Sequence, residues 1–341
     1  FEFTNLKDGK YLLLGLKEAS SDYLFNSKTD EIGFYTDTIS LPKDTLITKP
    51  IRIFKEKQSF KFKRGKEIVK GKIQFGYEGE KGNMNIKLLS KVPDTFNSFF
   101  QYEKDKDTLN YWHTPLKRDS LNFMVTNKNF IDTIKVRLRK KKIDSLTMSS
   151  SISKTLHLND TLFLESNNPI VRIDTSKFSI VDKDTVYVNF EVKKQAINKL
   201  AILFEKTPKM TYKFDVLPKG IIDLYETPND SLNYNFKTLT TEDYGSIILD
   251  LNKETNHPVV IQLLHKDKVL KTRYISSSEK IEFNLLEPKE YTVRAIIDEN
   301  NNRVWDTGNF LLRKQPEQVI YFDKVFKLRA NWIQNETFVI K

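Results

Sequence analysis

The chain has 341 residues, a net charge of +11 and no cysteine. The absence of cysteine excludes disulfide bonds, thiolate metal ligands and a cysteine nucleophile. The length is enough for roughly two to four domains, and the 24 Phe and 14 Tyr favour strands. The positive charge permits binding to nucleic acid, anionic lipid or acidic glycan. No stretch approaches the roughly 20 apolar residues of a membrane-spanning helix.

The first elements of the chain recur at its far end. Residues 1–11 (FEFTNLKDGKY) align without a gap with residues 281–291 (IEFNLLEPKEY). In each copy, alternating apolar and polar residues predict a short strand, a turn and a second strand. We expect Leu6 and Leu286, and likewise Tyr11 and Tyr291, to face one core.

This pattern resembles carboxypeptidase-regulatory-like and Cna-B-like modules, which are seven-stranded prealbumin-type sandwiches with the hallmark F-x-F-x-x-L-x-P-G-x-Y. The second copy departs from the hallmark because Lys289 stands at the usual Gly. In the first copy the hallmark strand comes at the very start. The resemblance therefore implies that earlier strands of this module lie upstream of Phe1.

Residues 51–145 alternate between apolar and polar side chains, as in Phe60-Lys61-Phe62-Lys63, and glycines and Pro93 separate the alternating segments. This pattern alone predicts a β-sandwich. The densest basic run is residues 137–142 (RLRKKK). We interpret it as a solvated edge strand that continues into a linker, where Lys discourages edge pairing. Lysines scattered over all segments make nucleic acid the less favoured partner.

Residues 146–238 contain Asn168-Pro169-Ile170 and end with the segment YKFDVLPKGIID at residues 212–223. These motifs resemble the bacterial Ig-like domain of S-layer type. An Ig-like domain followed by a Cna-B-like module resembles the Ig-like-domain outer-membrane lipoproteins of Bacteroidota. We predict an all-β chain of serial Ig-like and prealbumin-like β-sandwich modules. Its domains are the C-terminal part of a Cna-B/carboxypeptidase-regulatory-like module (1–50), a β-sandwich (51–145), a bacterial Ig-like domain (146–238) and a second Cna-B/carboxypeptidase-regulatory-like module (239–341).

The loop at residues 298–306 has the oxygen spacing of a calcium loop. Its ligands would be the side chains of Asp298, Asn300, Asn302 and Asp306 and the carbonyl of Val304. Arg303 replaces the usual Gly, and Asn309 replaces the bidentate Glu. The alternative is an Asn-rich turn closed by its own hydrogen bonds. The matching loop of the first copy, residues 18–26, keeps polar oxygens but carries less charge. Ca²⁺ is the only cofactor expected.

The tripeptide Asp-(Ser/Thr)-(Ile/Leu/Val) occurs nine times, against roughly one or two in a shuffled sequence of this composition. It resembles the O-glycosylation acceptor of Bacteroidota, which is used outside the cytoplasm. The alternative is that Asp closes a turn and the next residues begin a strand. The candidate acceptors are Thr38, Thr45, Thr108, Ser120, Thr133, Ser145, Thr161, Thr185 and Ser231.

Catalytic motifs are not evident. The four histidines, His113, His157, His257 and His265, form neither H-x-x-H nor H-E-x-x-H, and G-x-S-x-G, P-loop and Rossmann patterns are missing. We therefore predict that the chain is not an enzyme, although the sequence cannot pair its carboxylates as a glycosidase dyad. Residues 111–113 (YWH) are the one candidate aromatic platform for a glycan, and a core tryptophan is the alternative.

The predicted function is a non-catalytic accessory subunit of an outer-membrane complex for protein assembly, secretion or uptake. The resemblance implies an extracytoplasmic location, a lipid anchor outside these residues and a β-barrel protein partner. Nucleic acid and small-molecule substrates are not expected. The alternative function is an adhesin or glycan-binding multi-Ig surface protein, and the third is an enzyme.

Overall fold

The computed structural model describes residues 2–104, 106–138, 142–152 and 154–341, and its regular elements are almost all β-strands. In these residues the only helical elements are 3₁₀ turns at Thr175–Lys177 and Thr241–Asp243. The chain forms two compact units. The first consists of Phe1–Gln58 together with Tyr244–Lys341, and the second is Ser59–Asp243. No helix in the described residues is long and apolar enough to cross a membrane.

The N-terminal segment forms two antiparallel strand pairs. Tyr11 of the first strand lies opposite Ile39 of the fourth, and Leu14 of the second lies opposite Phe34 of the third. A small core of Ile32, Phe34 and Phe54 closes this segment. The strands are β1 (Gly9–Tyr11), β2 (Leu14–Lys17), β3 (Glu31–Phe34) and β4 (Ile39–Leu41).

The first sandwich of the second unit packs a four-stranded sheet on a three-stranded sheet. Its strands are β5 (Lys61–Val69), β6 (Lys72–Glu78), β7 (Asn85–Leu88), β8 (Ser98–Tyr102), β9 (Thr108–His113), β10 (Ser120–Asn127) and β11 (Phe130–Arg137). The sheet orders are β5-β6-β9-β8 and β11-β10-β7. The aromatic rings of Phe75 and Phe123 meet between the sheets at 5.1 Å. Strand β11 is an edge strand, and Arg139, Lys140 and Lys141 of the basic run lie outside the described residues.

The second sandwich of this unit has sheets ordered β12-β13-β17-β16 and β15-β18-β20, with β14 paired to β19. Its fully buried Leu164, Ile180 and Phe214 belong to one core. Its strands are β12 (Met148–Ser150), β13 (Leu162–Ser166), β14 (Ile170–Ile173), β15 (Phe178–Asp182), β16 (Phe190–Ala196), β17 (Lys199–Phe204), β18 (Thr211–Val216), β19 (Ile221–Asp223) and β20 (Leu232–Lys237).

The C-terminal module packs sheet β24-β21-β28 on sheet β23-β22-β25-β26, and β27 also pairs with β25. Strands β21 and β28 run parallel. Its strands are β21 (Gly245–Lys253), β22 (Val259–His265), β23 (Lys268–Ile275), β24 (Glu279–Leu286), β25 (Glu290–Ile297), β26 (Val319–Tyr321), β27 (Phe326–Lys327) and β28 (Ile333–Ile340).

The predicted fold class, serial β-sandwiches of Ig-like type, is confirmed. It arises because alternating sequences bury every second side chain, as in β6, where Ile73, Phe75 and Tyr77 point inward. The predicted boundaries at residues 50, 145 and 238 fall between strands, and they stay predictions.

Candidate functional site

The repeated ends of the chain share one strand pair, but residues 2–6 form no strand, whereas the equivalent residues 282–286 belong to β24. Leu14 of β2 lies opposite Phe34 of β3, as Arg294 of β25 lies opposite Tyr321 of β26. Equivalent residues of the two copies are 280 positions apart before the intervening loop and 287 positions apart after it. The second copy therefore contains seven extra residues, which fall within residues 307–316, named here the insertion loop.

The tyrosines of the repeat make the same bond in both copies. The Tyr11 hydroxyl donates to the Lys7 carbonyl at 2.6 Å, and the Tyr291 hydroxyl donates to the Glu287 carbonyl at 2.7 Å. Burial, with the charge of Glu287, raises the pKa of Tyr291 to about 12. Leu286 and Tyr291 lie in the module core, as expected. Leu6 is 48% exposed, so the expectation that it faces a core is wrong for this structure.

The calcium-like loop begins directly after β25, at a buried Asp298. The carboxylate of Asp298 accepts the backbone N–H groups of Asn302 and Arg303 at 3.1 and 2.8 Å. The side-chain amides of Asn300 and Asn302 donate to Asp306 Oδ2 at 2.6 and 2.7 Å. These bonds form a closed Asx-type network.

Asp306 also accepts a hydrogen bond from Lys57 Nζ at 3.1 Å. Burial opposes the ionisation of Asp306, but the hydrogen bonds from Asn300, Lys57 and Asn302 outweigh it and lower its pKa. A negatively charged Asp306 is therefore the form that this loop stabilises.

The five predicted ligands lie in this loop, but the oxygens of the four side-chain ligands are engaged in other bonds. The Asn302 side-chain oxygen accepts the Val304 N–H at 2.8 Å, and the Asn300 oxygen accepts the Asn302 N–H at 3.1 Å. Among the described residues no group of three or more His, Cys, Asp or Glu side chains is arranged to hold a metal ion. The two carboxylates and the carbonyl of Val304 have the chemistry for a calcium ion, but both amides would have to turn. Calcium stays a prediction.

The carboxylate that joins the two ends of the loop was not predicted from the sequence. Glu317, buried before β26, accepts the N–H groups of Glu299 and Asp306 at 3.0 and 2.9 Å. Burial and the charges of Asp306 and Asp298 raise its pKa, against two backbone hydrogen bonds that lower it. The sequence signal is Glu317-Gln318-Val319, which matches Asp30-Glu31-Ile32 once the insertion is allowed for.

In the first copy, Asp30 occupies the same position as Glu317. It accepts the N–H groups of Ala19 and Asn26 at 3.1 and 2.7 Å. These backbone bonds and one from the Thr29 hydroxyl lower its pKa. The loop backbones also match, since Tyr23 and Arg303 have φ angles of 60° and 64°. Both copies therefore use one carboxylate to hold the loop ends.

The insertion loop connects the two copies within their unit. The Thr307 hydroxyl donates to the Lys55 carbonyl at 2.7 Å, and the Gln315 amide donates to the Phe34 carbonyl at 2.8 Å. Its Phe310 ring lies 5.6 Å from that of Phe34 and packs against the small core. The segment that distinguishes the second copy therefore covers the first.

The candidate aromatic platform is not formed. Tyr111, Trp112 and His113 are 0%, 3% and 1% exposed, so the core alternative is correct. Lys72 Nζ covers the Trp112 ring at 4.8 Å. The remaining histidines are partly buried or exposed, and His265 ends β22 with Nδ1 2.8 Å from the Glu290 carbonyl.

The nine candidate acceptors are exposed or partly exposed. Five of them stand at the first residue of a strand or one residue before it: Thr38, Thr108, Ser120, Thr161 and Ser231. These positions agree with the alternative in which Asp closes a turn and the next residues begin a strand. Thr45, Thr133, Ser145 and Thr185 do not occupy such positions. Thr185 has a φ of 67°, an uncommon conformation for a β-branched residue. Glycosylation stays a prediction at all nine.

Comparison with known proteins shows no matching family model and no matching curated protein. The N-terminal part of the bacterial S-layer protein SbsC is 11% identical with a TM-score of 0.27, and the match covers 56% of this chain and 44% of that one. The major pilin subunit BcpA of Bacillus cereus is 11% identical (80% and 84% covered, TM-score 0.21). SGBP-B of the Bacteroides ovatus mixed-linkage glucan utilization locus, solved with a heptasaccharide, is 10% identical (82% and 83% covered, TM-score 0.22). At these scores the matches support no family and no function.

Proposed function

We propose that the chain is a non-catalytic, extracytoplasmic scaffold protein that acts as an accessory subunit of an outer-membrane protein complex. The observation that carries this proposal is the joint between the two sandwiches of the second unit. Serial sandwiches hold a binding surface at a set place only when their joints are well defined. The proposed lipid anchor and the β-barrel partner come from the sequence resemblance.

The joint is built around Gly71, in the turn between β5 and β6. The Tyr225 hydroxyl of the second sandwich donates to the Gly71 carbonyl at 2.9 Å, and the His113 N–H donates to the same oxygen at 2.8 Å. The Gly71 φ is +82°, and a Cβ there would lie 2.7 Å from the Tyr225 hydroxyl and 2.8 Å from the His113 carbonyl. Only glycine permits this approach.

Buried groups around Gly71 stiffen the joint. The Gly71 N–H donates to the buried carboxylate of Glu67 at 3.2 Å. Burial, with the charges of Asp223, Glu67 and Asp144, raises the pKa of Tyr225 far above its ordinary value of 10.0. The hydroxyl therefore stays protonated and remains a donor.

The test is recovery of the tagged protein from its native membrane in mild detergent, at low and high salt. We expect a stoichiometric β-barrel protein to be recovered with it. Gly71→Ala should weaken this recovery, whereas Gly76→Ala should not, because a Cβ at Gly76 meets only Lys63 Cβ at 3.7 Å. Recovery of the chain alone at both salt concentrations, with the membrane complexes intact, would overturn the proposal.

A further inference from the structure

The positive charge is concentrated in one sandwich. Residues 59–145 contain 20 Lys and Arg against 10 Asp and Glu, a net charge of +10 out of +11 for the chain. The other residues are close to neutral in sum. A charge asymmetry of this size indicates a local electrostatic field that attracts anions to this sandwich.

Four of these cations lie on β5 and β11, the edge strands at which the two sheets of the sandwich come together. The edge strands β5 and β11 touch at Gly65, where a Cβ would lie 2.8 Å from Val136 Cγ2. Gly65 and Val136 face the core at this contact, so the side chains of their sequence neighbours point outward on the two sides of it. The neighbours are Arg64, Lys66, Lys135 and Arg137, named here the β5–β11 seam, and all four are exposed.

The seam has no acidic partner in register. Arg64 and Lys66 pair across the sheet with Gly76 and Gln74. Lys135 and Arg137 pair with Asn122 and Ser120 in the same way, so all four cross-strand partners are uncharged. In the ranges that the structure describes, no ion pair involves any of the four, although Lys63 nearby pairs with Glu78 at 2.6 Å. On the two strands themselves, the carboxylate next to Lys66 is Glu67, which is buried and accepts the Gly71 N–H, and Asp132 stands three residues before Lys135.

The shape of the seam selects among anionic partners. Alternate residues of a strand are about 6.6 Å apart, so each strand presents two cations at a spacing that suits a chain of regularly spaced anions. Neither β5 nor β11 has an exposed aromatic side chain in its described residues, and stacking on such side chains is what single-stranded nucleic acid requires. An acidic protein would call for apolar anchors, and only Ile131, at the far end of β11, is an exposed large apolar residue there.

We propose that the β5–β11 seam binds a linear anionic polysaccharide through its sulfate, phosphate or carboxylate groups. Arg64 and Arg137 each present a planar guanidinium that can engage such a group with two hydrogen bonds. Lys66 and Lys135 add charge between them. This inference does not depend on the scaffold role, because it concerns a surface of the first sandwich and not the joint at Gly71.

The test compares two charge-matched variants of the full chain for binding to heparin, used as a sulfated polysaccharide probe. Replacing Arg64, Lys66, Lys135 and Arg137 with Gln should weaken binding at least about 10-fold and make the salt dependence shallower by about three in the log–log slope. The control variant likewise uses Gln to replace four exposed cations of the C-terminal module, Lys268, Lys271, Arg273 and Lys280. It should change the affinity less than about two-fold.

Two double variants, R64Q/K66Q and K135Q/R137Q, should each lose part of the binding. Equal loss in the seam and control variants would overturn the proposal, because binding would then follow net charge alone. Tighter binding to a single-stranded oligonucleotide or to vesicles of anionic lipid than to heparin would also overturn it. So would a seam variant that aggregates while it binds heparin unchanged, since the cations would then serve only to protect the strand edges.

Discussion

The two copies of the repeated segment have the same register and the same tyrosine bond but differ in what surrounds them. In the C-terminal copy, β22 pairs with one side of β25, and Phe283 and Leu286 are buried. In the N-terminal copy, the equivalent Phe3 and Leu6 are 62% and 48% exposed. Local sequence therefore sets the turn and the second strand, whereas the predicted first strand and its burial depend on a neighbouring strand, since residues 2–6 form no strand and β24 pairs with β21.

Alanine at the equivalent leucines should give the largest difference between the copies. Leu286→Ala removes a buried side chain from the module core and should lower the free energy of unfolding by about 2–5 kcal/mol. Leu6→Ala should change it by less than about 0.5 kcal/mol, as for an exposed position. Urea unfolding followed by tryptophan fluorescence measures both. A comparable loss at Leu6 would mean that Leu6 is covered in solution.

The insertion loop should stabilise the N-terminal copy through Phe310. Phe310→Ala removes the ring that packs on Phe34 and should cost about 2–3 kcal/mol, less than for a fully buried ring. The expected readout is faster hydrogen exchange at the Ile32 amide, which donates to the Phe54 carbonyl at 2.9 Å. The adjacent Leu311 is 85% exposed, so Leu311→Ala is the matched control. Unchanged exchange in Phe310→Ala would show that the loop does not hold this segment.

The tyrosine bonds allow a finer comparison. Tyr291→Phe leaves the Glu287 carbonyl without its donor in a partly buried site and should cost about 1 kcal/mol. Tyr11→Phe removes the same bond from an exposed site, where water replaces it, and should cost less than about 0.5 kcal/mol. Thermal unfolding of both variants provides the test, and equal costs would contradict the difference in burial.

Asp30 and Glu317 should respond to pH in opposite directions. The pKa of Asp30 is lowered by its hydrogen bonds, so its contribution to stability is present above its ordinary pKa of 3.8 and is lost as the pH falls below it. The pKa of Glu317 is raised from 4.5 by burial and two nearby carboxylates, so its contribution is present in acid and is lost as the pH rises through the raised value.

Asp30→Asn and Glu317→Gln, measured by unfolding between pH 3 and pH 7, separate these contributions. The cost of Asp30→Asn should increase with pH across this range, and the cost of Glu317→Gln should decrease, since Gln removes the repulsion by Asp298 and Asp306. Parallel pH profiles would indicate that the two carboxylates have similar electrostatic surroundings.

The sequence predicted what depends on local pattern. Alternation predicted the β-sandwiches, and the repeat predicted a second strand–turn–strand copy at the correct offset. It did not predict the roles of Asp30 and Glu317, because a seven-residue insertion separates the matching motifs. The sequence also did not predict that Tyr111, Trp112 and His113 are all buried. They are buried because β9 is covered on both faces. Strand alternation assigns residues to opposite faces but does not say whether both faces are covered.

The smallest expected effect is calcium binding, and it separates the two loops by where their carboxylates stand. The second loop has Asp298 and Asp306 at its first and ninth positions, whereas the first loop has Glu18 and Asp22 at the first and fifth and the uncharged Asn26 at the ninth. Only the second loop therefore has a charged oxygen ligand at both of its ends. Even in the second loop the ion must displace the bonds from Asn300 and Asn302 to Asp306. A weak site is therefore expected in the second loop alone.

Calorimetric titration of the full chain should show one weak site that Asp298→Ala abolishes and Glu18→Ala leaves unchanged. At a calcium concentration equal to the dissociation constant, the stabilisation would be about 0.4 kcal/mol. The ion would also lower the raised pKa of Glu317, because a divalent cation beside Asp298 and Asp306 offsets the charges that raise it. The pH profile of Glu317→Gln should then flatten in calcium. A flat titration at millimolar calcium would contradict the calcium site. The loop would then be a hydrogen-bonded Asx turn without a metal ion, with its ends held by Glu317 as the ends of the first loop are held by Asp30.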